Sequence, residues 1–433
     1  MNTTPLSFLR TSLAIGVACL VPAGCTSPKY LWSQADRRYT AVKIRDWEST
    51  PAGSPRTVRV LLVHGMNTHP FGSISQNEPQ LLGQETYADL QVKLAQWEHS
   101  PAAMKPVVQA AVSNGWDSFI TNTSAALHNS PTGNHEFRLI HDAHGKPIGY
   151  VFTRSYAPNA NGVALKFYVA NWSLGAAVLK EKRFGSWNNL DRTVKGHHIA
   201  GTVSDFDSML NGERNALTKV VKLHVLDWGL GDAALYLGDA GQEFQEPVRD
   251  ALKQLIRESG TNDRVAVVSH SLGSTITLDT LVPFLHDNGL DEYHPQQAGE
   301  KLAILAHPTE GPMPSKPSGL VFYMFANQYG LLKIGADEAF SRLSTALQGT
   351  SLGSRNKAVM QVYAFTDPND LLSYPLNIQQ KPLISVCNVY VRNGAVSVGF
   401  ASDPIEAHLN YERNRRVLEA MLNSPANVRL PKD

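Results

Sequence analysis

Cysteine is nearly missing from this chain: Cys19, Cys25 and Cys387 are its three among 433 residues. Three are too few for a disulfide framework. An excess of one charge is missing too. Lys and Arg number 39 against 38 Asp and Glu, a formal net charge of +1, and no long single-sign run breaks that balance. Nucleic acid is therefore not expected as a partner. No G-x-G-x-x-G follows a strand-like run and no Walker loop occurs, so no nucleotide cofactor, and no other cofactor, is expected. Internal repeats and low-complexity tracts are absent as well.

What is present reads as an ordinary folded protein. Apolar residues make up 42% and charged ones 18%, which excludes a disordered chain. A chain of this length buries about 75% of its unfolded surface and needs no staples. At ~150 residues per domain two or three units are possible, although α/β enzymes often run past that length as one.

Residues 1–24 read as a cleaved export signal. Arg10 supplies a thin positive region, Leu13 to Val21 an apolar stretch, and Ala23-Gly24 the small residues before Cys25. The run is too short to span ~30 Å of hydrocarbon, which takes about 20 apolar residues. Small residues before a Cys resemble the lipobox of bacterial lipoproteins, with Pro22 where that box prefers Leu. The resemblance implies lipidation of Cys25 and a membrane anchor, because acyl chains contribute about 0.8 kcal/mol per buried CH₂. Thr26 in place of Asp implies the outer membrane of a bacterial envelope; a soluble secreted protein is the alternative. Cys387, in the apolar run Ile384–Tyr390, reads as inert core.

Residues 25–55 read as a linker with one strand at Thr40–Ile44, and 56–433 as the main domain. Apolar β-branched runs recur at Val58–Val63, Val163–Ala170, Val265–Val268, Leu320–Phe325, Val359–Phe365 and Ile384–Val391. They lack alternation, the mark of strands covered on both faces of a mostly parallel sheet. Between them lie helical patterns. In Gln242–Arg257 the residues Phe244, Val248, Leu252, Leu255 and Ile256 share a face. Further helices are expected from Ser271 and from about Asn410, acting as N-cap. The alternation implies a doubly wound α/β sheet flanked by helices. A large insertion, about 72–160, follows the first core strand and carries a hairpin, Glu136–Ile140 with Ile148–Arg154, over or beside the sheet. Residues 172–240, with Trp172, Trp187 and Trp228, form a second excursion. Either excursion can serve as a lid or acyl-binding wall, or be structural only.

The chemistry is concentrated in Arg264–Ser274. A buried strand runs into Ser269-His270-Ser271-Leu272-Gly273 and then a helix. Small residues two positions either side of Ser271 permit a tight strand-to-helix turn that holds it strained. The turn aims the Ser271 hydroxyl at a helix N-terminus, where N–H groups favour negative charge. The segment resembles the nucleophile elbow of the α/β-hydrolase superfamily, with Ser269 where the family has Gly. A second likeness is His64-Gly65-Met66 after the strand Val58–Val63.

That resemblance, over roughly 56–71 and 163–423, implies an α/β-hydrolase fold and a serine esterase or lipase without a metal. The Met66 and Leu272 backbone amides would form the oxyanion hole, with His64 structural. The family order Ser, acid, His implies His408 as base, since no other His follows His307. The acid follows the strand at Val359–Thr366: Asp370, followed by Leu371-Leu372, fits the family turn, with Asp367 in reserve. The substrate would be an ester or a lipid, hydrolysed through an acyl-enzyme on Ser271. The same residues could transfer an acyl group to an alcohol, or the fold could serve as a non-catalytic envelope scaffold. His135, His141 and His144, and the pair His197-His198, lack the acidic partner and i, i+4 spacing of a hydrolytic zinc site.

Overall fold

Six runs of β-branched and aromatic residues, buried almost throughout, make the parallel middle of one sheet. The computed structural model describes residues 32–35, 56–66, 94–101, 106–113, 115–184, 230–259, 263–286, 320–332, 338–348, 360–378, 381–393, 396–397, 401–402 and 404–423. Within them the strands are β1 (Trp32–Ala35), β2 (Arg56–Val63), β3 (Pro131–His141), β4 (Pro147–Tyr156), β5 (Val163–Asn171), β6 (Arg264–His270), β7 (Leu320–Phe325), β8 (Met360–Thr366) and β9 (Ile384–Tyr390). They form a nine-stranded sheet in the order β1-β9-β8-β7-β6-β2-β5-β4-β3. From β5 to β9 every neighbouring pair is parallel. The antiparallel pairs are at the two edges.

Helices cover both faces, as parallel strands require. The helices are α1 (Pro106–Val112), α2 (Asp117–Ala126), α3 (Ser173–Phe184), α4 (Gly231–Leu237), α5 (Gly241–Glu258), α6 (Leu272–His286), α7 (Tyr329–Leu332), α8 (Glu338–Gln348), α9 (Pro404–Leu409) and α10 (Arg415–Asn423). One face packs Leu61, Val267 and Phe322 against α5, α6 and α8. The other packs Val60, Tyr323 and Phe365 against α1, α2 and α10. Helix α5 shows how the sequence achieves this: Phe244, Val248, Leu252, Leu255 and Ile256 recur at helical spacing and are all buried. The architecture is thus a mostly parallel α/β sheet with flanking helices, as the apolar runs imply.

Several expectations need correction. The hairpin Glu136–Ile140 with Ile148–Arg154 is real but longer, and it extends the main sheet as β3 and β4, because β4 pairs with β5 from Tyr150 to Tyr156. Val396 and Ser397 pair with Ser402 and Ala401 in a separate antiparallel ribbon. The last helix starts at Arg415, not near Asn410. Asn410 makes no side-chain cap and is followed by a single 3₁₀ turn, Tyr411–Arg413. Asn414 Oδ1 instead accepts the Arg416 N–H at 2.9 Å, the usual bond of an N-cap. The expected strand Thr40–Ile44, the export signal and Cys25 lie outside the described residues, as do Trp187, Trp228 and His197-His198. Cys387 is a buried free thiol in β9.

Candidate active site

The C-terminal ends of β6, β2 and β8 converge on one place. At the end of β6 the chain turns sharply, with Ser271 at φ 54° in the left-handed region. A non-glycine residue there carries strain of about 1–2 kcal/mol, and the surroundings hold it. The Ser271 N–H still donates to the Phe325 carbonyl of β7 at 2.8 Å, and Ser274 N–H donates back to the Ser271 carbonyl at 3.0 Å. The flanking Ser269 is fully buried, and its hydroxyl pairs with that of Ser274 at 2.9 Å.

The turn after β2 presses against this elbow, and two glycines make that possible. A methyl group on Gly65 would sit 2.7 Å from Ser271 Cβ and 2.9 Å from His270 Nδ1. One on Gly273 would fall on the His64 carbonyl oxygen. His64 itself is buried and structural. Trp172 N–H donates to its Nε2 at 3.3 Å, so the hydrogen is on Nδ1, which donates to the Gly65 carbonyl at 2.6 Å. Trp172 Nε1–H donates to the His64 carbonyl at 3.1 Å, and the two rings stack at 4.6 Å. Burial, opposed only in part by the Gly65 bond, pushes the His64 pKa down to about 3. Trp172 therefore works inside the core, fully buried between His64 and Phe244, and not as a wall for an acyl chain.

Beyond β8 the chain makes a turn in which Asp370 N–H donates to the Asp367 carbonyl at 2.9 Å. The two carboxylates part there. Asp367 caps the turn: Oδ1 accepts Asn369 N–H at 2.8 Å and Oδ2 accepts Asn393 N–H at 2.5 Å. Asp370 faces His408. Its Oδ1 and Oδ2 lie 2.9 and 3.0 Å from His408 Nδ1. A carboxylate only accepts, so Nδ1 carries the hydrogen and Nε2 is bare. His408 Nε2 lies 3.0 Å from Ser271 Oγ, leaving the hydroxyl as donor. Ser271, His408 and Asp370 thus form one hydrogen-bonded chain across 137 and 38 residues of sequence. The Asp370 side chain is wholly buried, whereas His408 keeps 13% exposure.

Three residues around this chain were not identified from sequence. The Tyr411 hydroxyl accepts Asp367 N–H at 2.5 Å and donates to Asp370 Oδ2 at 3.3 Å. Burial, with Asp370 beside it, pushes its pKa well up and keeps it a donor. Its only signal was its place three residues past His408. Trp172 had none beyond being the residue after a core strand. His270 was visible as part of the elbow, but not its contact with His408, 138 residues away.

Leu272 opens α6, so its N–H is one of the first-turn amides without an acceptor inside the helix. Met66 follows the turn that Gly65 presses on Ser271. Leu371 and Tyr374, which follow Asp370 in sequence, and Leu409, which follows His408, are exposed at 72, 42 and 55%. Away from this site, His135 lies on β3, where Nε2 bonds the Pro101 carbonyl at 2.5 Å. Among the described residues no group of three or more His, Cys, Asp or Glu is arranged to hold a metal ion. No helix among them is long and apolar enough to cross a membrane.

No protein-family model, no curated protein and no solved structure matches this chain.

Proposed function

We propose that the protein is a serine ester hydrolase with an α/β-hydrolase fold, working through an acyl-enzyme on Ser271. One observation carries the reading: the unbroken series Ser271 Oγ, His408 Nε2, His408 Nδ1, Asp370 at 3.0 and 2.9 Å. Two further features support it. Ser271 is held left-handed at a strand-to-helix turn, and the strand ending in His64-Gly65-Met66 is the neighbour of the nucleophile strand.

In this mechanism Ser271 Oγ attacks the ester carbonyl carbon and gives its proton to His408 Nε2. The oxyanion takes hydrogen bonds from the Leu272 and Met66 amides. Collapse expels the alcohol, which leaves with the proton from His408. Water then attacks the acyl-enzyme, giving a proton to His408, and the carboxylic acid departs as Ser271 regains its hydrogen. Asp370 stays ionised, holding the tautomer and stabilising the imidazolium. The exposed Leu371, Tyr374 and Leu409 favour an acyl chain over a small polar acid. Lipidation of Cys25 would place the enzyme on a bacterial envelope membrane, and a Cys25→Ala variant is then expected in the soluble fraction.

The test is fluorophosphonate labelling with mapping of the adduct. A single adduct on Ser271, lost in Ser271→Ala and in heat-unfolded protein, is the expected result. Folded wild-type protein that stays unlabelled overturns the reading. A chain-length series of p-nitrophenyl esters then reads the substrate preference, and product analysis with added alcohols separates hydrolysis from acyl transfer.

A further inference from the structure

His270 is buried at the centre of the site, yet the acyl-enzyme mechanism gives it no step. Its Nε2 lies 2.8 Å from the main-chain carbonyl oxygen of His408. A carbonyl only accepts, so Nε2 carries a hydrogen and donates it. The other nitrogen, Nδ1, faces Glu412 Oε1 at 3.5 Å and is close enough to the β2 turn that a methyl on Gly65 would meet it at 2.9 Å. One ring thus touches the turn carrying Gly65, the main chain of the base, and the 3₁₀ turn beyond it.

The base needs such a partner. His408 is carried by α9, a helix of 6 residues, far shorter than the dozen or so that hold a helix by themselves. The last four carbonyls of any helix lack N–H donors within it. Two consecutive ones at the end of α9 are taken by side chains from elsewhere. Asn393 Nδ2–H donates to the Ala407 carbonyl at 3.2 Å, and His270 to the His408 carbonyl. The second bond ties the base's backbone to the residue just before the nucleophile.

We propose that His270 is a positioning residue, whose Nε2–H fixes the main chain of His408 so that the imidazole meets Ser271 in reacting geometry. The inference rests on the serine hydrolase reading and adds a second fastening to the base, independent of Asp370. Asp370 sets the tilt and tautomer of the His408 ring, and His270 sets where its Cα sits. Burial pushes the His270 pKa down, with Glu412 pulling the other way, and the uncharged ring already makes the bond. An uncharged ring also puts no second positive charge beside the His408 imidazolium, whose ring is 5.1 Å away.

The test compares His270→Leu, His270→Gln and His270→Asn in the full chain. Gln can place its amide N–H near the position of Nε2; Leu cannot donate, and the Asn amide is too short. His270→Leu is expected to lower kcat about 10- to 100-fold, as misplacement by about 1 Å does, with KM within about twofold. Fluorophosphonate labelling of Ser271 should slow by a similar factor, and His270→Gln should recover to within about threefold of wild type. If His270→Leu fails to fold, the Gln to Asn ratio carries the test. Equal rates for Gln and Asn, a Leu variant at wild-type rate, or a loss wholly in KM would overturn the inference while leaving the hydrolase reading in place. Unlabelled wild-type protein overturns the hydrolase reading instead, and this inference with it.

Discussion

Two clusters of buried polar groups lie toward opposite ends of the same parallel strands, and they are built to different ends. Toward the N-terminal end, Arg59 Nε donates to Asp263 Oδ2 at 2.8 Å, while its other nitrogens reach the Tyr168 hydroxyl and the Glu258 carbonyl at 2.6 Å each. Tyr168 donates to Glu258 Oε2 at 2.6 Å, and Lys166 meets the same oxygen at 2.7 Å. Asp263 Oδ1 also takes the Thr57 N–H. Charge meets charge within the cluster. At the C-terminal end, Ser271, His408 and Asp370 are arranged in series, with Ser271 held left-handed and the His408 carbonyl bonded to the His270 ring. A network that closes on itself fastens β2, β5, β6 and α5 together. A series that ends in a strained hydroxyl leaves a proton to be moved. Burial alone therefore does not mark a site; open-ended order does.

Substitutions can break this contrast. The largest expected effect is at Asp370. Asp370→Asn keeps an oxygen for the Leu372 N–H but loses the charge behind His408, so kcat should drop about 10⁴-fold with the fold intact. Asp367→Asn, three residues from it in sequence, should change kcat less than about threefold, because its oxygens face Asn369 and Asn393. Ester turnover of the two variants checks the pair.

Next comes acid sensitivity at the elbow. His64 is neutral when folded, its pKa pushed down to about 3, against about 6.5 when unfolded. The unfolded chain therefore binds the extra proton first as pH falls. The stability conferred by His64 is full above pH ~6.5 and is lost on acidification toward pH 3, by up to roughly 4–5 kcal/mol. Denaturant unfolding between pH 7 and 4 measures this slope, and His64→Phe should flatten it.

Arg59→Met strikes the closed cluster and should cost about 3–5 kcal/mol by taking the guanidinium from Asp263 and leaving Lys166 as the cation on Glu258. The turnover of the remaining folded protein should be unchanged, a result that chemical unfolding combined with active-site titration would show. Gly65→Ala strikes the open cluster. Its new methyl crowds Ser271 Cβ and the His270 ring; under the proposed mechanism this displaces the Met66 oxyanion donor, and kcat should fall about 10²- to 10³-fold. If instead Arg59→Met silenced turnover, or Gly65→Ala left it intact, the division between fastening and chemistry would be wrong.

Much of this was legible in the sequence, for physical reasons. Strands buried on both faces must be apolar throughout, so the runs at Val58–Val63, Val265–Val268 and Leu320–Phe325 gave the parallel core. The elbow was legible because so sharp a turn tolerates few residue types. His408 stood out because no other His follows His307. What was hidden depends on partners distant in sequence. That the hairpin β3–β4 joins the sheet is decided by its pairing with β5, and edge strands carry no pattern that names their neighbour. Asn410 and Asn414 are equally good caps on paper, and packing of Tyr411 beneath Asp370 places the 3₁₀ turn between them. The roles of Trp172 and His270 rest on contacts 108 and 138 residues apart.

The absence of room for a β-carbon at Gly65 and Gly273 has one more result. A β-carbon at Gly273 would meet the His64 and Val63 carbonyls, and one at Gly65 the Ser271 Cβ and the His270 ring, so the turn at Ser271 and the turn after β2 cannot be shifted one without the other. If the proposed ester hydrolysis holds, a change in what the site accepts must come from other residues, because neither glycine position has room for a side chain.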